Sequence, residues 1–196
     1  MAGKLTAKGE RTRSRIVKGA AAEIREYGVG VTTLDDILFR TRTSKGQLFH
    51  YFPSGKEELL LAVVEHEAQR VLDEQQPHLG RLTSWRAWQD WRDAVVDRYR
   101  KQGTDCPLAI LMTELGRSTP AARAVTTKLI DQWAAEICAG IRAMQESGQI
   151  ARTVDAELVT RALLAGIQGG VWILLTTGEL SHLEAALDTG LAALRT

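Results

Sequence analysis

Cysteine is nearly missing from this chain, with only Cys106 and Cys138 in 196 residues. Neither has CxxC or zinc-ligand spacing, which argues against a disulfide framework and makes a reducing compartment the default. Long apolar runs are missing too. The most apolar stretch, Ala162 to Leu175, is interrupted by Gln168 and three glycines and falls short of the ~20 residues a membrane span needs. The basic opening MAGKLTAKGERTRSR runs into no apolar segment of the kind a signal peptide carries, so a cytoplasmic protein is expected. Catalytic signatures are also wanting. His66-Glu67 lacks the second histidine of HExxH, Gly28-Val29-Gly30 lacks the strand and third glycine of a dinucleotide site, and neither a P-loop nor GxSxG occurs. No catalytic residue, metal or cofactor is expected.

What is present is an ordinary globular composition, 44% hydrophobic and 25% charged, in a length that permits one or two domains. Net charge is only +1, but it is unevenly spread. Residues 1–60 hold eleven Lys/Arg against seven Asp/Glu, and the remainder holds 14 against 17. A positive head on a slightly negative body suits a module that faces phosphates, and equally suits a solvated basic face.

Helical punctuation recurs throughout, and no alternating β-branched run is long enough for a sheet. The chain reads as all-α with about nine helices. The first, about Thr12 to Tyr27, places Ile16, Ala20, Ile24 and Tyr27 on one face and stops at Gly28. Thr33-Leu34-Asp35-Asp36 is a capping-box start for a short helix to about Arg40, and Ser44-Lys45-Gly46-Gln47 starts a second one ending at Phe49-His50-Tyr51-Phe52. Ser54 with Glu57 has the same spacing ahead of a long helix from Lys56 to about Glu74. Further helices are expected over Ser84–Gly103, Pro107–Leu115, Pro120–Gly148 and Asp155–Thr177, and a last one, capped by Ser181 with Glu184, to about Leu194.

A helix as short as the one after Ser44 is unstable alone and must be held by neighbours. Leu34, Ile37 and Leu38, with Leu48 and Phe52, supply the holding side. The other side then carries Lys45, Gln47 and His50, with Gly46 allowing close backbone approach. That is the layout of a recognition helix in a major groove. Lys45 can donate to guanine and Gln47 can pair with adenine, while Thr33, Thr43, Ser44, Tyr51, Arg42 and Lys56 offer hydroxyls or charge to phosphate. The plainer alternative is that Thr33, Ser44 and Ser54 only cap, and Phe49, Tyr51 and Phe52 only pack.

The linked pattern Arg15-Ile16, Ala20, Gly28, Thr32-Thr33-Leu34-Asp35-Asp36-Ile37, Ser44 through Ser54 and Lys56-Glu57-Glu58-Leu59-Leu60 resembles the TetR-type transcriptional repressors over roughly residues 10–62. The resemblance implies that Thr33, Lys45, Gly46, Gln47, Phe49, His50, Tyr51 and Lys56 contact operator DNA. Cys106-Pro107-Leu108 is similar to a subgroup linked to drug- or flavonoid-responsive repression. The chain departs from the family pattern where Leu38, Thr41 and Arg42 replace small residues and glycine, where Phe49 replaces tyrosine, and where Gly55 is inserted. The expected division is a DNA-binding domain over 1–55 and an effector-binding and dimerisation domain over 56–196.

The resemblance further implies a homodimer and a small hydrophobic effector. For the dimer interface the expected residues are Leu163, Gly166, Ile167, Gly170, Leu174, Leu187 and Leu191, with the glycines permitting close helix approach. Glycine tolerated inside a monomer core is the alternative. For the effector pocket they are Trp88, Trp91, Tyr99, Met112, Trp133 and Ile137, each of which could instead be simple core. A helical adaptor that binds only protein is the competing function, and it would need neither the basic head nor the exposed face of Lys45, Gln47 and His50.

Overall fold

The structure, a computed structural model, describes residues 5–102, 106 and 115–195. Among them are eight α-helices and no strand: α1 Ala7–Tyr27, α2 Leu34–Thr41, α3 Lys45–Tyr51, α4 Lys56–Asp73, α5 Trp85–Gln102, α6 Pro120–Glu146, α7 Ala156–Thr177 and α8 Ser181–Ala193. Single 3₁₀ turns occur at Leu79–Arg81 and Leu115–Arg117. The ninth helix expected over Pro107–Leu115 lies, apart from Leu115, outside the described residues. The described residues form two compact units, one of residues up to 70 with 115–126 and one of residues 71–106 with those from 127 onward.

In the first unit α1 starts earlier than its apolar pattern suggests, because the Thr6 hydroxyl accepts from the Gly9 amide and caps it. Its far end closes at Gly28, whose φ of 89° suits glycine and whose N–H donates to the Ile24 carbonyl. Ile16, Val17, Ala20, Ala21 and Ile24 form the buried stripe. Tyr27, expected on that face, is 56% exposed, since the core ends one turn earlier and its phenol bonds Glu26 instead. Helix α2 packs across this stripe. Gly19 makes the crossing possible, because a Cβ there would lie 2.2 Å from Thr41 Cγ2.

The start of α4 departs from the expected cap. Gly55 adopts φ 71° and adds a residue, so the carboxylate that reaches back to the Ser54 N–H is Glu58 at 2.9 Å rather than Glu57. Further along, Glu67 is fully buried and accepts from Arg25 of α1 at 2.7 Å, pairing α1 with α4.

The second unit is built on α5, most of α6, and the α7–α8 pair. Asp155 caps α7 by accepting from the Glu157 and Leu158 amides, and Gly178 ends it in the left-handed region. Ser181 is the first helical residue of α8 rather than its cap, which falls on Leu180 and makes no side-chain bond. By length and composition alone α7 resembles a membrane span, but a stripe of its residues is buried inside the unit, as in a core helix. Its buried residues are occupied by α8. A Cβ on Gly170 would lie 2.6 Å from the Leu183 Cα, and one on Gly190 would lie 2.4 Å from Leu163 Cδ1. Arg92 of α5 holds Asp188 of α8 through two bonds of 2.7 and 2.9 Å.

Candidate nucleic-acid interface

Helices α2 and α3 and the turn between them are built from interlocking polar bonds around a small apolar anchor. Thr33 and Asp36 form a reciprocal box, with Asp36 N–H donating to Thr33 Oγ1 at 3.2 Å and Thr33 N–H donating to Asp36 Oδ2 at 2.8 Å. The Thr33 hydroxyl and amide hold the Asp36 carboxyl below its usual pKa, and Lys56 adds to the effect. Ser44 and Gln47 repeat the box at the start of α3, at 3.2 and 3.3 Å.

The turn itself is tight. Thr43 N–H donates to the Leu38 carbonyl at 3.0 Å, and Arg42 N–H donates to the Phe39 carbonyl at 3.2 Å. Arg42 sits at φ 48°, ψ 48°, the left-handed region where the family pattern has glycine. From α1, the Arg15 guanidinium donates to the Thr41 carbonyl and, at 3.3 Å, to Thr43 Oγ1. Arg15 thus braces the turn from behind, and Arg13 of the same helix lies over the Phe52 ring at 5.2 Å. The pattern of the basic residues in α1 hinted at neither contact, because both depend on where α2 and α3 come to rest.

Helix α3 has seven residues and owes its stability to Leu48 and, just beyond it, Phe52, both fully buried. Each such side chain contributes about 1.5–3 kcal/mol by leaving water. Lys45, Gly46, Gln47, Phe49 and His50 are exposed on α3, and Ser44, Arg42 and Thr33 are exposed ahead of it. Tyr51 is half-buried, with its ring edge-on to His50 at 4.9 Å. Phe49 rests near Gly55, where a Cβ would lie 3.3 Å from its ring. Two expected contacts stand differently. Thr43 is buried, because Arg15 and the Thr41 carbonyl take its hydroxyl inward. Lys56 is half-buried and donates to the Thr32 carbonyl at 2.6 Å, which fixes it beside the α2 start.

Two parts of the chain carry the resemblance to known proteins. Residues 16–63 match the family model described as bacterial regulatory proteins, tetR family, and residues 81–189 match the tetracyclin repressor-like C-terminal domain. The chain belongs to the TetR family of transcriptional regulators. An uncharacterized HTH-type transcriptional regulator of Mycobacterium tuberculosis is 31% identical over 135 residues, a match covering 62% of this chain and 64% of that protein. Among solved structures, a TetR-family regulator from Cytophaga hutchinsonii shares the fold at a TM-score of 0.82 and 17% identity, covering 97% of this chain and 96% of its own. SmeT, the repressor of the Stenotrophomonas maltophilia multidrug efflux pump SmeDEF, aligns at a TM-score of 0.70 and 25% identity, covering 94% and 91%.

In this TetR-family chain five of the six residues expected at the effector pocket lie in the second unit. Trp88, Trp91, Trp133 and Ile137 are buried to within 1% and Tyr99 to 7%; Met112 lies outside the described residues. Trp88 and Trp91 meet edge to face at 5.7 Å. Burial pushes the Tyr99 phenol well above its usual pKa, with the Cys106 thiol adding to the shift. A cavity of about 980 Å³ opens elsewhere, in the first unit, between Leu60, Leu61 and Val64 of α4 and Leu115, Pro120 and Ala122.

The residues expected at a dimer interface are turned inward. Leu163, Ile167, Gly170, Leu174, Leu187 and Leu191 are buried within one chain, with Leu163 against Gly190 and Gly170 against Leu183 where α7 packs on α8, and Gly166 is half-buried against Ala186. What α7 presents outward is a different stripe: Leu158, Ala162, Ala165, Gly169, Trp172 and Thr176, all exposed.

Proposed function

We infer that the chain is a DNA-binding repressor that acts as a homodimer and is released from its operator by a small hydrophobic effector. The observation that carries the reading is α3, held on one side by Leu48 and Phe52 while Lys45, Gly46, Gln47 and His50 stand free on the other. Lys45 reads a guanine edge. Gln47 already accepts from the Ser44 amide, so its amide N–H₂ is the group left for a base acceptor. Thr33, Ser44, Arg42, Tyr51 and Lys56 contact phosphates, and Thr43 acts by shaping the turn.

Pairing of two chains uses the outward stripe of α7. Its residues recur at alternating intervals of four and three, the spacing of a helix–helix seam, and Ala162, Ala165 and Gly169 allow close approach. Leu158 and Trp172, 58% and 54% exposed, supply the apolar area that a partner covers. A two-fold pair presents two α3 helices to half-sites about one DNA turn apart. The effector shifts the population toward a state whose α3 helices are wrongly spaced, acting through α4, and catalysis has no part in this reading.

Selection of bound duplexes from a random-sequence pool, followed by footprinting, tests the reading. The expected product is a pseudo-palindrome protected in two half-sites about ten base pairs apart. Recovery of unrelated sequences, or protection of a single undivided half-site at all protein concentrations, would overturn it.

A further inference from the structure

The first half of α1 carries cations that the chain does not neutralise. Lys8, Arg11, Arg15 and Lys18 recur at intervals of three, four and three, which puts them on one side of a helix, and all four are exposed. Ile16, Val17 and Ala20 are buried on the other side. Exposed arginines elsewhere find carboxylates within the chain, as Arg100 does with Asp97 and Glu184 and Arg142 does with Glu157. Among the described residues no carboxylate pairs with Lys8, Arg11, Arg15 or Lys18.

Three of these cations share one place. Arg11, Arg15 and Lys18 line a hollow of about 620 Å³ together with Ala7, Glu10 and Ser14. An anion entering it meets three positive side chains against one carboxylate, and the Ser14 hydroxyl can donate to it as well. The hollow adjoins the turn that leads into α3. Arg15 Nη1 donates to the Thr41 carbonyl and, at 3.3 Å, to Thr43 Oγ1, and Thr43 precedes Ser44, the cap of α3. The Nε and Nη2 groups of the same guanidinium bond nothing among the described residues, so one edge of the fork braces the turn while another is open to an oxyanion.

The cationic side is long as well as charged. From Lys8 to Lys18 it runs about 15 Å, ten residues at 1.5 Å each, which suits an extended polyanion better than a single small ion. None of the residues that the family resemblance assigns to operator DNA lies on α1.

We propose that α1 is a second DNA-contacting element, in which Arg11, Lys18 and the open edge of Arg15 seat one backbone phosphate of the duplex and Lys8 lies against another along the same strand. The proposal rests on the DNA-binding reading above and adds to it a contact that carries no sequence information.

The test measures affinity across a salt series for the selected duplex and for a random one, using the full chain and three double variants. Arg11→Gln with Lys18→Gln empties the hollow of two charges, and Arg11→Lys with Lys18→Arg keeps them. Lys128→Gln with Arg152→Gln removes two exposed cations of the second unit instead. In the first variant the slope of log affinity against log salt is expected to be shallower by about 1 on both duplexes, with the ratio of the two affinities within about twofold of wild type. The other two variants should keep the wild-type slope. Lys8→Gln alone gives a second reading should the first variant not fold, with a slope again shallower by about 1. An unchanged slope, an equal change in the second-unit variant, or loss of the affinity ratio would each overturn the proposal. Inorganic phosphate that binds the wild type and not the first variant, while the slope on DNA stays unchanged, would assign the hollow to a small ion and overturn it too. A wild type with no affinity for any duplex sinks the DNA-binding reading and this proposal together. A steep wild-type slope that the first variant retains sinks this proposal alone.

Discussion

Replacing Arg42 by glycine separates two roles that the turn before α3 combines. Arg42 is the one non-glycine among the described residues with positive φ, at 48°, and its side chain is exposed. Holding an L-residue there costs about 1–2 kcal/mol. Glycine removes that strain but is freer in the unfolded chain by about 0.5–1 kcal/mol, leaving a net gain of about 0.5–1 kcal/mol. Arg42→Ala removes the same charge and keeps the strain. The glycine variant should therefore melt about 1–4 °C above the alanine variant in calorimetry. Both variants lose the proposed phosphate contact. The slope of log affinity against log salt should become shallower by about 1 in each, measured on the selected DNA. Equal melting temperatures for the two variants would refute the strain argument. Unchanged salt slopes in both would remove Arg42 from the interface and leave the strain argument standing.

Other consequences follow from the packing. Gly19→Ala drives a Cβ into Thr41 Cγ2 and should cost about 1–3 kcal/mol in denaturant unfolding, with most of the loss recovered when Thr41→Ser removes that methyl. Arg15→Met strips the brace from the Thr41 carbonyl and the Thr43 hydroxyl, and a loss of about 1–3 kcal/mol is expected together with weaker DNA binding; wild-type affinity in a folded variant would show that the brace is dispensable. Trp172→Glu puts a charge on the outward stripe of α7 and should give a monomer in sedimentation at micromolar concentration, whereas an unperturbed dimer would place the pairing surface elsewhere. The half-buried His66 has a pKa held below its ordinary 6.5 by burial and then by Lys18, Arg70 and Arg25. The unfolded chain therefore takes up that proton first as pH falls. The stability His66 confers is complete above about pH 6.5 and is lost as pH falls through its folded-state pKa. His66→Gln should flatten the decline in melting temperature below that pH, and an unaltered profile would assign it to other groups.

Much of the head was legible from local chemistry. The boxes of Thr33 with Asp36 and Ser44 with Gln47 depend on residues three apart, and the structure forms both. Spacing misled where one backbone conformation intervened. Gly55 in the left-handed region shifts the bond to Ser54 from Glu57 to Glu58. Periodicity named the apolar faces of α7 and α8 but could not say what covers them. Leu163, Ile167 and Leu187 serve either a neighbour in the same chain or a second copy equally well as a pattern, and the close approach that Gly170 and Gly190 allow between α7 and α8 is a three-dimensional fact the pattern does not carry. The Arg15 brace joins residues 26 and 28 positions apart, beyond the reach of any local rule.

The salt dependence of binding to the selected duplex, in wild type and in Lys45→Ala with Gln47→Ala, tests most directly whether α3 reads DNA. A steep fall of affinity with salt is expected for the wild type, with a slope of about −0.9 per neutralised phosphate. The double variant should keep most of that slope while losing the preference for selected over random sequence by about 1–3 kcal/mol per base contact. Full retention of the preference, or affinity indifferent to salt, would contradict the assignment of α3 as the reading helix.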